Sequence, residues 1–344
     1  MLKGCFTALI TPFADGAVDY DGLNRLADFQ IQNGISGILA VGTTGESPTL
    51  SWEEHNRVIE TVANAGKGRC ACIAGTGSNN TKETLAATEH AAHVGVDAVL
   101  LVDPYYNGPS SLEIRREYVA PVAAAFPDLE VIPYVIPGRT GAQLLPEDLA
   151  LLHLEYPNVS TVKEATGDLA NMRRTRTCCG DNFTILSGDD PLTFEMMADP
   201  GIQAAGVISV ASNVVPGPVS RMVRLLEEKK WDAARSLADA LAPLFGLVTV
   251  KTMESTPYGE ALCRARNPLA VKTLMAVLGM PSGGCRPPLG KMTAAGLEKV
   301  LSAARTVQGK NPDFFEPITR FFQVDIESRL ADPASLEGLA YTSY

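Results

Sequence analysis

Short apolar runs rich in β-branched residues recur along the chain, at 5–10, 37–41, 70–74, 98–102, 131–134, 160–163, 184–187 and 206–209. Between them lie stretches whose apolar positions repeat every three to four residues, such as 20–32, 52–64, 82–93, 114–125 and 169–178. A brief apolar run bounded by turn residues suits a strand buried on both faces, and the helical period suits a helix laid over it. Eight strand-then-helix units within residues 1–215 predict a (β/α)8 barrel. An open doubly wound sheet would more often carry a glycine fingerprint after its first strand, and Ile-Thr-Pro-Phe-Ala-Asp-Gly at 10–16 is not one. Beyond residue 209 the pattern changes, because 218–228, 231–244 and 269–278 read as helices with no strand between them. Residues 216–307 are therefore expected to form an added C-terminal helical region. The stretch 308–344 is richer in Pro, Asp and aromatic residues and lacks a period, which predicts an irregular C-terminal extension suited to packing on a neighbouring subunit.

Composition narrows the function. With 344 residues, 46% of them hydrophobic, the chain can bury one large core. A net charge of -10 and a pI near 5.0 argue against binding nucleic acid or an anionic membrane surface, both of which select for Lys and Arg. No run approaches the roughly 20 apolar residues that span a bilayer, and the first residues lead straight into a strand-like segment rather than a cleavable leader. A cytoplasmic protein is expected. The seven cysteines are odd in number and scattered, so they read as free thiols. His55, His90, His93 and His153 do not add the spacing of a zinc site, and no metal or cofactor is expected. The N-x-S/T triplets at Asn79 and Asn158 carry meaning only in a secreted chain.

In a (β/α)8 barrel the reactive groups sit at the C-terminal ends of the strands, so the residues after each run are the informative ones. The second run leads into Gly42-Thr43-Thr44-Gly45-Glu46-Ser47, whose backbone N–H groups could meet a carboxylate or simply turn the chain into the helix starting near Ser51. The fourth leads into Asp103-Pro104-Tyr105-Tyr106-Asn107, and the fifth ends at Tyr134 before Pro137-Gly138-Arg139-Thr140-Gly141. Tyrosines there can relay protons or form an aromatic rim, and Arg139 can clamp a carboxylate or sit in a surface ion pair. The sixth run is followed at once by Lys163. A poorly solvated ammonium has a depressed pKa, which frees the amine to attack a carbonyl, and the competing reading is a structural ion pair with Glu164. The seventh and eighth runs deliver Ser187-Gly188-Asp189-Asp190 and Gly206-Val207-Ile208-Ser209, whose glycines allow a ligand close to the backbone.

Taken together, GTTGES at 42–47, DPYYN at 103–107, Tyr134 with PGRTG, VKEATGD at 162–168, SGDD at 187–190 and GVISVASN at 206–213 resemble the dihydrodipicolinate synthase family. That family belongs with N-acetylneuraminate lyase in the pyruvate-dependent class I aldolase superfamily. The likeness runs from about residue 3 to residue 301, with extra residues around 248–266 and no counterpart for the tail after 308. It implies a lyase of lysine and diaminopimelate biosynthesis, in which Lys163 forms a Schiff base with pyruvate and Tyr134 acts as acid and base beside it. Thr43 would link Tyr134 to Tyr106, which would reach into a neighbouring subunit. Thr44 would hold the pyruvate carboxylate, Arg139 would bind that of aspartate 4-semialdehyde, and Gly188 and Ile208 would line the pocket through their backbones. The resemblance also implies a homotetramer built as a dimer of dimers. It further implies an L-lysine inhibitor site at Ser47, Pro48, Trp52, His55, Asn79, Glu83 and Tyr105, where the plain reading is that Trp52, Glu53 and Glu54 open a helix. Two alternatives stay open: a related pyruvate-dependent aldolase acting on a sugar acid or keto acid, and a keto-acid or amino-acid sensor without turnover. Arg139 speaks against the first, and the Tyr134, Thr43 and Tyr106 relay against the second.

Overall fold

The computed structural model describes residues 2–344. Eight strands close into a barrel: β1 (Gly4–Ala8), β2 (Gly37–Ala40), β3 (Ala71–Gly75), β4 (Ala98–Val102), β5 (Glu130–Val135), β6 (Thr161–Glu164), β7 (Thr184–Ser187) and β8 (Gly206–Ser209). All pairings are parallel, and β1 is hydrogen-bonded to both β2 and β8. Each strand read from the sequence is present to within two residues. The expected (β/α)8 barrel is the fold.

The strands look uniformly apolar because both faces are buried, yet their two faces serve different cores. Phe6, Leu39, Leu100, Ile132, Leu186 and Ile208 fill the barrel interior. Their neighbours Cys5, Ile38, Val99, Val131, Ile185 and Val207 point outward into the layer shared with the helices. The barrel closes where Gly4 pairs with Gly206. Gly206 has φ +150°, and a Cβ there would lie 1.9 Å from the Gly4 carbonyl oxygen, so only glycine allows that closure.

The helices begin where short polar side chains can take up free backbone N–H groups. Asp19 caps the helix Tyr20–Gln32, Asn80 caps Thr81–Val94 and Asp168 caps Leu169–Cys179. Ser51 and Glu54 form a capping box at the start of Trp52–Gly66.

Two expectations for the C-terminal third need correcting. Residues 216–307 are not helical throughout: between the helices Trp231–Phe245 and Leu269–Val277 stands an antiparallel hairpin, β9 (Thr249–Thr256) and β10 (Gly259–Arg266). Its alternation was present in Val250 and Thr252, both buried between exposed neighbours, and its turn in Pro257 and Gly259. Residues 308–344 are not irregular either. The helix Ala294–Lys310 runs into them, and Glu316–Phe322 and Ile326–Ala331 follow. Helices of six or seven residues make fewer than two turns, too few to display a period. This extension packs on its own chain: Phe321 and Phe322 lie 5.5 and 5.2 Å from Phe29, and Arg329 donates to the Val277 and Ala276 carbonyls. Among the described residues no helix is long and apolar enough to cross a membrane.

Candidate active site

Strand β6 ends in Val162, Lys163 and Glu164, and alternation sends Lys163 into the barrel while Glu164 points away. The ion pair considered between them does not form. Glu164 instead accepts from the Thr166 backbone N–H at 2.7 Å and from Asn171 Nδ2 at 3.1 Å. Lys163 is 5% exposed and, among the described residues, has no carboxylate within 4 Å. Burial pushes its amine down to about 7; the Asp190 carboxylate works against that shift and the Arg139 guanidinium adds to it.

Register places Tyr134 of β5 directly beside Lys163. The Lys163 Nζ lies 4.2 Å from the centroid of the Tyr134 ring. Burial raises the phenol to about 12, and the nearby Arg139 charge and Thr43 hydroxyl pull in the opposite direction. Gly188 forms the opposite wall: a Cβ there would come within 3.0 Å of the Lys163 Cε and 2.9 Å of the Ala165 Cβ. Ile208 belongs to the same interior cluster as Tyr134.

Two cavities are lined by neighbours of this lysine, one by Tyr134 and the other by Gly188, and Arg139 borders both. One, of ≈ 190 Å³, is lined by Thr43, Ser47, Gly75, Tyr105, Tyr134 and Arg139 among others. The second, of ≈ 420 Å³, is bounded by Ala165, Gly188, Asp189 and the base of the β9–β10 hairpin. Arg139 is held by a residue that the sequence reading missed. Arg139 Nη2 donates to the Asn267 carbonyl at 3.3 Å, and Asn267 Nδ2 donates to Thr44 Oγ1 at 2.9 Å. Asn267 therefore ties the loop after β2 to the loop after β5. Its only sequence signal was the segment of extra residues, 248–266, that it directly follows. Asp190 was quoted from SGDD but given no part; buried, it accepts from the backbone N–H groups of Val210 and Ala211 at 2.9 and 2.8 Å.

Tyr106 is not in this group. It is 93% exposed, with φ +77°, a strained conformation for an aromatic residue that turns its ring away from its own barrel. Among the remaining candidates, Ser47, Pro48 and Tyr105 line the first cavity. Trp52 packs on His55 at 5.0 Å, and Asn79 Oδ1 accepts from the Tyr105 N–H at 2.7 Å. Glu83, exposed, accepts from the Ser78 hydroxyl at 2.5 Å. His55 is buried and lowered to about 4 by that burial, so it is neutral at pH 7. Its Nε2 faces the Gly75 carbonyl at 3.1 Å and must donate, which leaves Nδ1 an acceptor without a partner.

A parallel (β/α)8 barrel with an amine, a phenol and a guanidinium gathered at the C-terminal ends of β5 and β6 defines a barrel enzyme whose chemistry sits at its mouth. The chain belongs to the dihydrodipicolinate synthetase family, whose model matches residues 1–307. A 4-hydroxy-tetrahydrodipicolinate synthase of Methanococcus maripaludis is 40% identical over 306 residues, covering 89% of this chain and 99% of that one. The 4-hydroxy-tetrahydrodipicolinate synthase structure from Methylacidiphilum fumariolicum SolV superposes with a TM-score of 0.83 at 37% identity, covering 92% of this chain and 99% of the other. A Cyanidioschyzon merolae enzyme of this kind with lysine bound superposes with a TM-score of 0.80 at 34% identity, covering 89% and 98%.

Proposed function

We propose that this chain is a lyase that condenses pyruvate with L-aspartate 4-semialdehyde to give 4-hydroxy-tetrahydrodipicolinate, through a Schiff base on Lys163. The observation that carries the reading is Lys163 itself: a buried amine without a carboxylate partner, poised near neutrality at the mouth of a barrel of this family. The neutral amine attacks the pyruvate ketone, the carbinolamine loses water, and the protonated imine draws electrons from the methyl group. Loss of a methyl proton gives an enamine, whose carbon bonds to the aldehyde carbon while the aldehyde oxygen takes up a proton. The substrate's amino group then attacks the imine carbon, and the Lys163 amine leaves as the ring closes.

Each of these steps moves a proton, which gives Tyr134 its role as acid and base, with Thr43 beside it. Thr44 and the loop around it hold the pyruvate carboxylate, Arg139 takes the carboxylate of the semialdehyde, and Gly188 and Ile208 shape the pocket. Arg139 favours this short carboxylate substrate over a sugar acid. The outward ring of Tyr106 fits a relay completed across a subunit boundary, so we assign the working state to a homotetramer made of two tight dimers. Two measurements test the reading. Purified protein with both substrates, coupled to a reductase that consumes the cyclic product, should turn over. Pyruvate with borohydride should tag Lys163 irreversibly, because reduction converts the imine to a secondary amine. A tag on Lys272 or Lys291, or none, would overturn it.

L-lysine is the inhibitor we assign to the cleft beside Tyr105. Glu83 for the α-ammonium and Trp52 for the aliphatic stem support this, with the neutral His55 packed against Trp52. Tyr105 adjoins Tyr106, which gives the coupling to the relay a physical route. Millimolar L-lysine should slow the coupled assay, and Glu83→Ala should relieve it. An unaffected wild type removes the regulatory claim only.

A further inference from the structure

The hairpin that the family resemblance did not cover closes one side of the catalytic mouth. Register sets Lys251 directly opposite Arg264 and Thr249 opposite Arg266, so alternation puts Lys251, Arg264 and Arg266 on one face. That face lines the ≈ 420 Å³ cavity together with Arg139, Gly188 and Asp189. Gly188, in the wall of this cavity, backs onto the Lys163 side chain: a Cβ there would stand 3.0 Å from the Lys163 Cε. Like charges directly opposite on paired strands repel each other. Among the described residues none of the four cations has a carboxylate within 4 Å, and Asp189 is the one carboxylate lining the cavity. A chain of net charge -10 thus gathers four cations against one carboxylate around a single cavity.

The hairpin is also held in position. Arg266 Nη1 donates to the Gly138 carbonyl at 3.2 Å, Lys299 Nζ donates to the Lys251 carbonyl at 2.6 Å, and Val250 and Thr252 are buried beneath. Burial is the main cause that disfavours the Arg139 charge, and the Arg266 charge nearby adds to it.

We propose that Lys251, Arg264 and Arg266 form a cationic rim that concentrates pyruvate at the mouth and so sets the enzyme's affinity for its first substrate. This rests on the reaction proposed above. The charges of the two substrates make the proposal specific. Pyruvate is a monoanion at neutral pH and gains from a positive potential, whereas aspartate semialdehyde carries an ammonium and a carboxylate and has no net charge. A cleft lined by one sign of charge raises the local concentration of the opposite ion, and salt screens the effect.

The test uses the full chain with Lys251→Glu/Arg264→Glu and with the neutral pair Lys251→Gln/Arg264→Gln; Arg266 stays because it also anchors the loop after β5. At about 10 mM ionic strength, kcat/KM for pyruvate should fall about tenfold in the reversed pair and less in the neutral pair, through KM rather than kcat. Added salt should lower kcat/KM for pyruvate in the wild type and do so less steeply in the neutral pair, which keeps Arg266 and Arg139. The KM for the semialdehyde should hold. The pyruvate concentration giving half-maximal borohydride tagging of Lys163 should rise in parallel, with the second substrate absent. Unchanged pyruvate dependence, equal salt slopes, or equal losses for both substrates would overturn the rim. Failure to tag Lys163 in the wild type would instead overturn the Schiff-base reading.

Discussion

Lys163 and Lys272 are both buried amines, 5% and 1% exposed, and their surroundings differ in what they offer the charge. Lys272 lies 2.6 Å from Glu46 Oε1, donates to the Thr11 carbonyl at 2.9 Å and stands 4.2 Å from the centre of the Phe13 ring. The second oxygen of Glu46 accepts from the Arg286 N–H at 2.9 Å, so charge and counter-charge are both satisfied. Lys163 faces a ring at the same 4.2 Å and nothing that fixes its proton; Asp190, the anion that favours its charged form, is engaged with Val210 and Ala211. Burial with a partner makes a structural cross-link between the loop after β2 and the helix Leu269–Val277. Burial without one makes a nucleophile.

The contrast breaks most visibly under mutation. Lys163→Ala should abolish the pyruvate–borohydride tag and cut turnover on the order of 10³-fold or more, with no loss of thermal stability. Lys272→Met should leave the tag on Lys163 but lower folding stability in urea by about 3 to 5 kcal/mol, because Glu46 remains buried and uncompensated. Adding Glu46→Gln to Lys272→Met should restore much of that loss. A tag surviving in Lys163→Ala, or full stability in Lys272→Met, would mean that the two lysines have been assigned the wrong way round.

A smaller effect separates the two halves of the reaction at Lys163. Arg139→Ala should reduce turnover with aspartate semialdehyde ten- to a hundredfold, since a lost charge-assisted hydrogen bond is worth about 1.5 to 3 kcal/mol. Tagging by saturating pyruvate should be little changed. Equal damage to both steps would make Arg139 structural, a holder of Asn267 rather than a substrate clamp.

The difference between the two lysines was only half legible in the sequence. Lys163 stands at the end of an apolar run, and in a barrel that position alone directs it to the mouth, so local pattern was enough. Glu46 and Lys272 meet from opposite ends of the chain, and nothing local announces such a pair; Glu46 read as one more polar residue of the 42–47 loop. Asn267 escaped for the same reason, since its partners Thr44 and Arg139 lie far away in sequence. The β9–β10 hairpin was misread because its alternation is weak: Met253 and Leu262 are apolar at outward positions. Strand order, in contrast, follows from chirality and short connections once eight units are counted.

The finest distinction lies in how Lys163 titrates. Its neutral form is the nucleophile, so a pKa of about 7 predicts that initial tagging with pyruvate and cyanoborohydride rises through about pH 7 and levels above it. An ordinary lysine would still be gaining toward its usual value near 10.4. The two charges around it should move the midpoint in opposite directions. Arg139→Ala removes a positive neighbour that disfavours the ammonium, so the pKa rises and the midpoint moves to higher pH. Asp190→Asn removes the negative charge that favours the ammonium, so the pKa and the midpoint fall. Each displacement should be less than about one pH unit, which corresponds to about 1.4 kcal/mol of interaction. The Lys272→Met variant should show the wild-type midpoint, because that amine and its Glu46 form a closed pair elsewhere in the fold. A midpoint near 10 would show that burial does not prepare this amine, and one near 7 that ignores both Arg139 and Asp190 would show that burial alone does.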